Sequence, residues 1–250
     1  MSETDDKFHN GHRSRLRDKV DNGQATDAEE LETLLTYVIA RRDVRILSRT
    51  LMQRFGSAYN VVLADPEELR RVEGVGPSTI TFFRLLRQII TKGYKNHLAQ
   101  NRIYHDAKLI QEYCRIQTMG KPVEELHAMY LDNEYHLIMD KLISKGSVDH
   151  AVFYPREIIA DATGLRASHV VLYHNHPVGD TSFSTDDISF TISLGKLLRV
   201  LGIKLYDHYV VINTARCTVC ETITYLMKLI MWHQNNSATS QTADNGCGVP

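Results

Sequence analysis

The apolar pattern changes character at Lys121-Pro122, and this constrains the chain more than any other feature. Before that point nothing alternates at period two. Leu31, Leu34, Leu35 and Val38 recur at helical spacing in EELETLLTYVIA. A second helical run, DVRILSRTLMQRFG, ends on Gly56, which suits a C-terminal cap. A third, DPEELRRVEG, opens with Asp65 as N-cap and Pro66 at the first helical position. The spacing of PSTITFFRLLRQIITKG predicts a helix from Pro77 to Gly93. Beyond Lys121, LHAMYLD and YHLIMDKLI alternate like paired strands around the turn residues Asp132-Asn133-Glu134. PREIIADATG reads as a helix ending at Gly164, and HVVLYHNHP as a buried strand stopped by Pro177. DDISFTISLGKLLRVLG reads as an amphipathic helix ending at Gly202, and KLYDHYVVIN as a further strand. The expected fold class is therefore mixed α/β: an all-helical N-terminal domain, then an α/β domain whose hairpin makes the sheet mixed rather than fully parallel.

These patterns divide the chain into a disordered stretch 1–10, a helical domain 11–95, a linker and connecting helix 96–120, an α/β domain 121–228 and a disordered, apolar-poor tail 229–250. Within 96–120, the polar run KNHLAQNRIY is the expected join and 106–120 a further helix. No internal repeat is visible.

Composition excludes several classes. Hydrophobic residues make up 43% and charged residues 24%, with a formal net charge of −1, so the chain as a whole has no bias toward nucleic acid or membrane. Residues 11–100 carry a mild excess of Lys and Arg, and the rest a mild excess of Asp and Glu. The 4 cysteines are too few for a disulfide framework and suggest reduced thiols. The polar N-terminus does not read as a secretory signal, and no run approaches the length of a membrane span. A cytoplasmic protein without a membrane partner is expected.

The chemistry concentrates after residue 173. Residues i and i+2 of a strand face one side, so His174 and His176 leave the strand end together, spaced to share a metal ion. Among 12 histidines a chance H-x-H is unremarkable. Downstream, Ser184 and Asp187 open a helix, and S-x-x-D is also a plain capping box in which Asp187 merely satisfies backbone donors. With the histidine pair a few residues upstream, the intervening loop can return that carboxylate to the same metal. Two histidines, one carboxylate and an open fourth position compose a catalytic zinc site.

The full pattern, H-x-H-P-x6-S-x2-D, resembles the JAMM (MPN/JAB) metalloprotease motif at every defined position. HNHP, Gly179, PREI at 155–158 and Asp207-His208 before YVVI resemble its RadC branch. So do GHRSRLR, ELETLL, RRDV, RFGS and VEGVG in the first half, which extends the resemblance over about residues 11–228. Val178 departs from a usually small polar position and Ala40 from one often occupied by proline; neither is a ligand. The resemblance implies a JAMM/MPN domain of cytidine-deaminase-like fold, Zn2+ held by His174, His176 and Asp187, and hydrolysis of a peptide or isopeptide amide. It also implies a glutamate acid/base on an early strand. Glu124 and Glu125 both qualify by type; the family spacing, eight residues before Asp132, selects Glu124. In the implied metal-assisted hydrolysis, Glu124 moves the proton and Ser184 hydrogen-bonds the developing oxyanion. The RadC name carries an association with DNA repair, which is not a mechanism.

Four further features carry weaker signals. Glu73-Gly74-Val75-Gly76 before a helix is the core of a helix-hairpin-helix, in which Gly74, Val75 and Gly76 could meet a DNA phosphate beside Arg70, Arg71, Arg84 and Arg87; a tight interhelical turn explains the glycines equally. This supports an alternative reading, a nucleic-acid-binding accessory protein of DNA repair whose metal site is structural or acts on nucleic acid. Cys217-Thr-Val-Cys220 cannot complete a four-cysteine zinc site and reads as structural, and H-x-H in place of H-x-E argues against a zinc deaminase. Asp207-His208 reads either as a pair that orients a metal ligand or as a strand cap, and Arg13, Arg15 and Arg17 as a solvated helix face.

Overall fold

The computed structural model describes residues 3–40, 42–102, 107–146, 155–177, 183–213 and 218–222. The expected tail and Cys217 lie outside them. Seven helices precede the first strand among these residues: α1 (Glu3–Asp21), α2 (Asp27–Val38), α3 (Arg45–Phe55), α4 (Ala58–Leu63), α5 (Pro66–Arg70), α6 (Pro77–Gln100) and α7 (Ala107–Thr118). Local chemistry sets their ends. Thr26 and Glu29 form a capping box for α2, Gly56 ends α3 at φ +83°, and the Asp65 side chain accepts from the amides of Glu67 and Glu68 at the start of α5. Leu31, Leu35, Leu51, Val61, Leu69, Ile80 and Phe83 form the core of this region.

Three expectations are corrected here. Helix α1 begins at Glu3, inside the stretch expected to be disordered. Leu16 is buried, and His12–Glu32 and Lys19–Glu29 tie α1 to α2, so the helix is anchored and extends at little cost per residue. Helix α6 continues through Gly93 to Gln100, through much of the expected linker. Leu98 is fully buried among Ile110, Tyr113 and Met129, and that burial outweighs the weak preference of one glycine against helix. The short α4, capped by Ser57, fills a span where no element was expected.

The sheet has five strands, β1 (Glu125–Leu131), β2 (Leu137–Lys145), β3 (His169–His176), β4 (Lys204–Asn213) and β5 (Thr218–Thr222), in the order β2-β1-β3-β4-β5. Only β3 and β4 pair in parallel, so the sheet is mixed as expected. Two further helices, α8 (Pro155–Gly164) and α9 (Thr185–Val200), cover one face. Leu126, Ala128, Tyr130, Val170 and Leu172 pack there against Ile158, Ala162, Leu194 and Leu198. Met129, Leu131, Val171, Tyr173 and Tyr209 face the other way, onto Leu98, Ile110, Tyr113 and Cys114 of α6 and α7. With both faces covered, every residue of β1 is buried, unlike the half-buried alternation expected of it.

The helical region joins the sheet at Gly120. Leu63, Ile116 and Met119 pack together, and Arg87 donates to the carbonyls of Leu63 (3.1 Å) and Gln117 (3.0 Å). That arginine, grouped above with DNA contacts, is committed to this junction. Gly120 has φ +71°, and a Cβ there would lie 2.7 Å from both Asp65 N and Leu63 O.

Candidate metal centre

Strand alternation sorts the polar residues at the end of the sheet. His174 and His176 share parity with Val170 and Leu172, so both emerge on the α9 face. Glu124, at the threshold of β1, shares parity with Leu126 and Ala128 on that face, whereas Glu125 points to the α7 face. Helix α9 brings Asp187 in from above. Donor atoms of Glu124, His174, His176 and Asp187 all lie within 4.8 Å of one another.

The geometry within the group suits one ion. His174 Nε2 and His176 Nε2 are 3.0 Å apart, His174 Nε2 and Asp187 Oδ1 3.6 Å, and His176 Nε2 and Asp187 Oδ2 3.7 Å. Ligands on a tetrahedral ion at zinc–nitrogen distance would be separated by about 3.3 Å, so the three donors sit close to that spacing. His174 and Asp187 are buried, while Glu124 and His176 keep partial solvent contact, so the group opens on their side.

Asp187 is a helix cap and a member of this group at once. Ser184 Oγ donates to Asp187 Oδ2 (2.6 Å) and accepts from the Asp187 amide (3.1 Å), and the Ser184 amide donates to the same Oδ2 (2.9 Å). The capping box thus fixes the carboxylate toward the histidines. Burial alone would raise the Asp187 carboxyl pKa; the neighbouring His174 and His176 imidazoles, then the Ser184 hydroxyl, outweigh it and hold the group well below its ordinary range.

Glu125 is occupied elsewhere. Its carboxylate faces Lys121 (3.3 Å), Lys145 (3.2 Å) and His127 (3.5 Å). The hydrogen bond to His127, aided by the two lysines, lowers its pKa to about 2 despite burial. Of the two adjacent glutamates, Glu124 is the one in the donor group.

Sequence patterning marks neither Asn175 nor Thr191 and leaves His208 open. Asn175, between the histidines, points to the α7 face; its Oδ1 accepts from Glu125 N (2.9 Å) and its Nδ2 donates to Val123 O (3.0 Å). His208 on β4, fully buried, lies with Nε2 2.8 Å from His174 Nδ1 and Nδ1 2.7 Å from Thr191 Oγ1. Thr191 Oγ1 in turn donates to Asp187 O (2.5 Å). The available signals were parity for Asn175 and the one-turn spacing from Asp187 for Thr191. Asp207 Oδ1 accepts from the His208 amide (2.8 Å).

The residues read as DNA contacts are separate from this group. Gly74 takes φ +92° in the turn between α5 and α6, against Leu47, and Gly76 N-caps α6 after Val75. Arg70 pairs with Glu67, and Arg71 is exposed. Cys220 is in β5. No helix among the described residues is long and apolar enough to cross a membrane.

Comparison with known proteins identifies the family. A family model described as RadC-like JAB domain matches residues 104–222, which contain the whole donor group. A UPF0758 protein of Ruegeria pomeroyi is 34% identical over 203 residues, covering 80% of this chain and 91% of that protein. A UPF0758 protein of Rhodobacter capsulatus is 33% identical over 199 residues, 78% of this chain and 93% of that protein. With His174 and His176 of the H-x-H and the Asp187 cap converging beside Glu124, and relatives matched over nearly their whole length, the chain belongs to the RadC family of JAB-domain proteins.

Proposed function

We propose that this protein is a zinc-dependent hydrolase of amide bonds in peptides or proteins, with His174, His176 and Asp187 as metal ligands and Glu124 as acid/base. The observation that carries the reading is the group of four donors in which three are spaced for one ion and the fourth, Glu124, stands at the solvent side. Zinc, when bound there, would act as a Lewis acid and bring the pKa of a coordinated water toward about 7. Glu124 would take a proton from the attacking water and deliver it to the leaving amine. Ser184 turns its hydroxyl from Asp187 to the developing oxyanion. A cavity of about 660 Å³, lined by Arg54, Glu68, Arg71, Lys121 and Pro177 among others, reaches the residue that follows His176, and none of the four donors lines it.

Metal analysis of the wild type and of a His174→Ala/His176→Ala double variant tests this reading. About one zinc per chain, lost in the variant together with cleavage of fluorogenic peptide or isopeptide amides, is the expected result. A wild type that takes up no zinc when it is supplied sinks it. The competing possibility, a closed structural site with Glu124 as fourth ligand, predicts that Glu124→Gln loses metal; the hydrolase reading predicts that it keeps metal and loses activity.

The second reading is DNA contact through the helical region, compatible with the first. What supports it is the turn Gly74–Gly76, which gives α6 no side-chain cap, next to the exposed Arg71 and Arg84. Such contacts would be salt-sensitive and indifferent to sequence. Binding of duplex or branched DNA at low salt, weakened by Arg71→Ala/Arg84→Ala, is the expected outcome, and a flat titration removes the reading.

A further inference from the structure

We infer that Thr191 and His208 are positioning residues that lock the tautomer and orientation of His174 by tying it, through a closed hydrogen-bonded chain, to the backbone of the second ligand, Asp187. The inference rests on the metal reading above.

His174 turns Nε2 toward His176 and Asp187, so a ligand lone pair belongs on Nε2 and the ring proton on Nδ1. Nδ1–H can then only donate, and what it meets at 2.8 Å is His208 Nε2. His208 must accept there, which puts its own proton on Nδ1, where Thr191 Oγ1 accepts at 2.7 Å. The Thr191 hydroxyl proton goes to Asp187 O at 2.5 Å. Each member donates once in the same direction, and the chain starts and ends on two residues of the donor group. All three side chains are at most 1% exposed, so water cannot replace a missing partner at low cost. The elements are distinct: β3 carries His174, β4 carries His208, and α9 carries Thr191 and Asp187. The chain therefore also fixes how far α9 stands from the sheet. Partners of this kind, lying behind the ligands, typically change metal affinity when removed.

Zinc affinity, measured on the full chain by competition with a chromophoric chelator, tests the inference. Thr191→Val keeps the volume and removes the hydroxyl; Thr191→Ser keeps the hydroxyl. Weakening of roughly 10- to 100-fold is expected for Thr191→Val and for His208→Gln, with Thr191→Ser close to wild type. The cobalt-loaded Thr191→Val protein should also show a shifted visible absorption, which a packing role alone would not cause. If Thr191→Val binds zinc within about threefold of wild type with an unchanged cobalt spectrum, the inference is overturned while the metal reading stands. A wild type that binds neither metal overturns both. His208→Gln can fail to fold, in which case the valine and serine pair decides.

Discussion

Asn175 holds the backbone on both sides of Glu124: its amide accepts from the Glu125 N–H at 2.9 Å and donates to the Val123 carbonyl at 3.0 Å. The residue between the two histidines thus grips the segment that carries the glutamate, replacing main-chain pairing where the register of β1 on β3 ends at Leu126–His174. Asn175→Ala removes the side-chain partner of one buried and one part-buried backbone group, at about 1–3 kcal/mol of stability. Zinc content should stay at the wild-type level, because the ligands are untouched. Turnover of an amide substrate should fall by roughly tenfold or more, since a misplaced acid/base loses rate steeply. Metal analysis with steady-state kinetics checks this, and an unchanged kcat in a folded variant would refute it.

The two adjacent glutamates should part company on substitution. Glu124→Gln keeps size and hydrogen bonding but cannot move a proton, so it should retain zinc and lose about 10²- to 10⁴-fold in kcat. Glu125→Gln should retain most activity and lose stability, because Lys121, Lys145 and His127 all face that carboxylate. Denaturation midpoints and kcat, measured on both variants, give the comparison. Equal kinetic losses would remove the assignment of Glu124.

Much of this was legible in the sequence. The H-x-H and S-x-x-D signals are local: each follows from strand parity or helix capping over a few residues, and the structure brings their side chains together. The sheet's mixed character followed from the hairpin around Asp132. What could not be read depends on packing between distant segments. Leu98 carries α6 past Gly93 only because α7 and the sheet bury it. The chain from His174 through His208 to Thr191 spans three elements, and nothing local marks His208 as pointing inward rather than capping a strand. Arg87 looked like a candidate phosphate contact, yet its guanidinium serves two carbonyls at the junction.

Acid should reveal the charge cluster on the α7 face. The pKa of Glu125 is about 2 in the folded protein against an ordinary 4.5. The folded state therefore favours the ionised form, and its contribution is fully present above about pH 4.5, declining as pH falls toward 2. The size should be on the order of 2 kcal/mol. Urea unfolding of wild type and Glu125→Gln between pH 7 and pH 3 tests this. The gap between them should be constant at the upper end and narrow below about pH 4.5. A gap independent of pH would mean that the carboxylate's charge is not what the lysines and His127 stabilise.

Gly120 and Gly56 allow the junction between helices and sheet to be weighed. Both have positive φ, +71° and +83°, so alanine at either incurs a backbone cost of about 1 kcal/mol. Their surroundings differ. At Gly56 an added Cβ would find only Asn60 Nδ2, at 4.0 Å, and the helix cap would survive. At Gly120 it would meet Asp65 N and Leu63 O at 2.7 Å, main-chain atoms that cannot turn aside. Gly120→Ala must therefore push the α4–α5 turn away from the start of β1, loosening Leu63 from Ile116 and Met119. Its loss of stability should exceed that of Gly56→Ala by about 1–3 kcal/mol, the usual cost of overpacking. Zinc binding should change little, since the donor group sits on β3, α9 and the threshold of β1 rather than on the turn. Urea midpoints of the two variants supply the difference, and equal losses would show that the close approach at Gly120 contributes nothing beyond its φ.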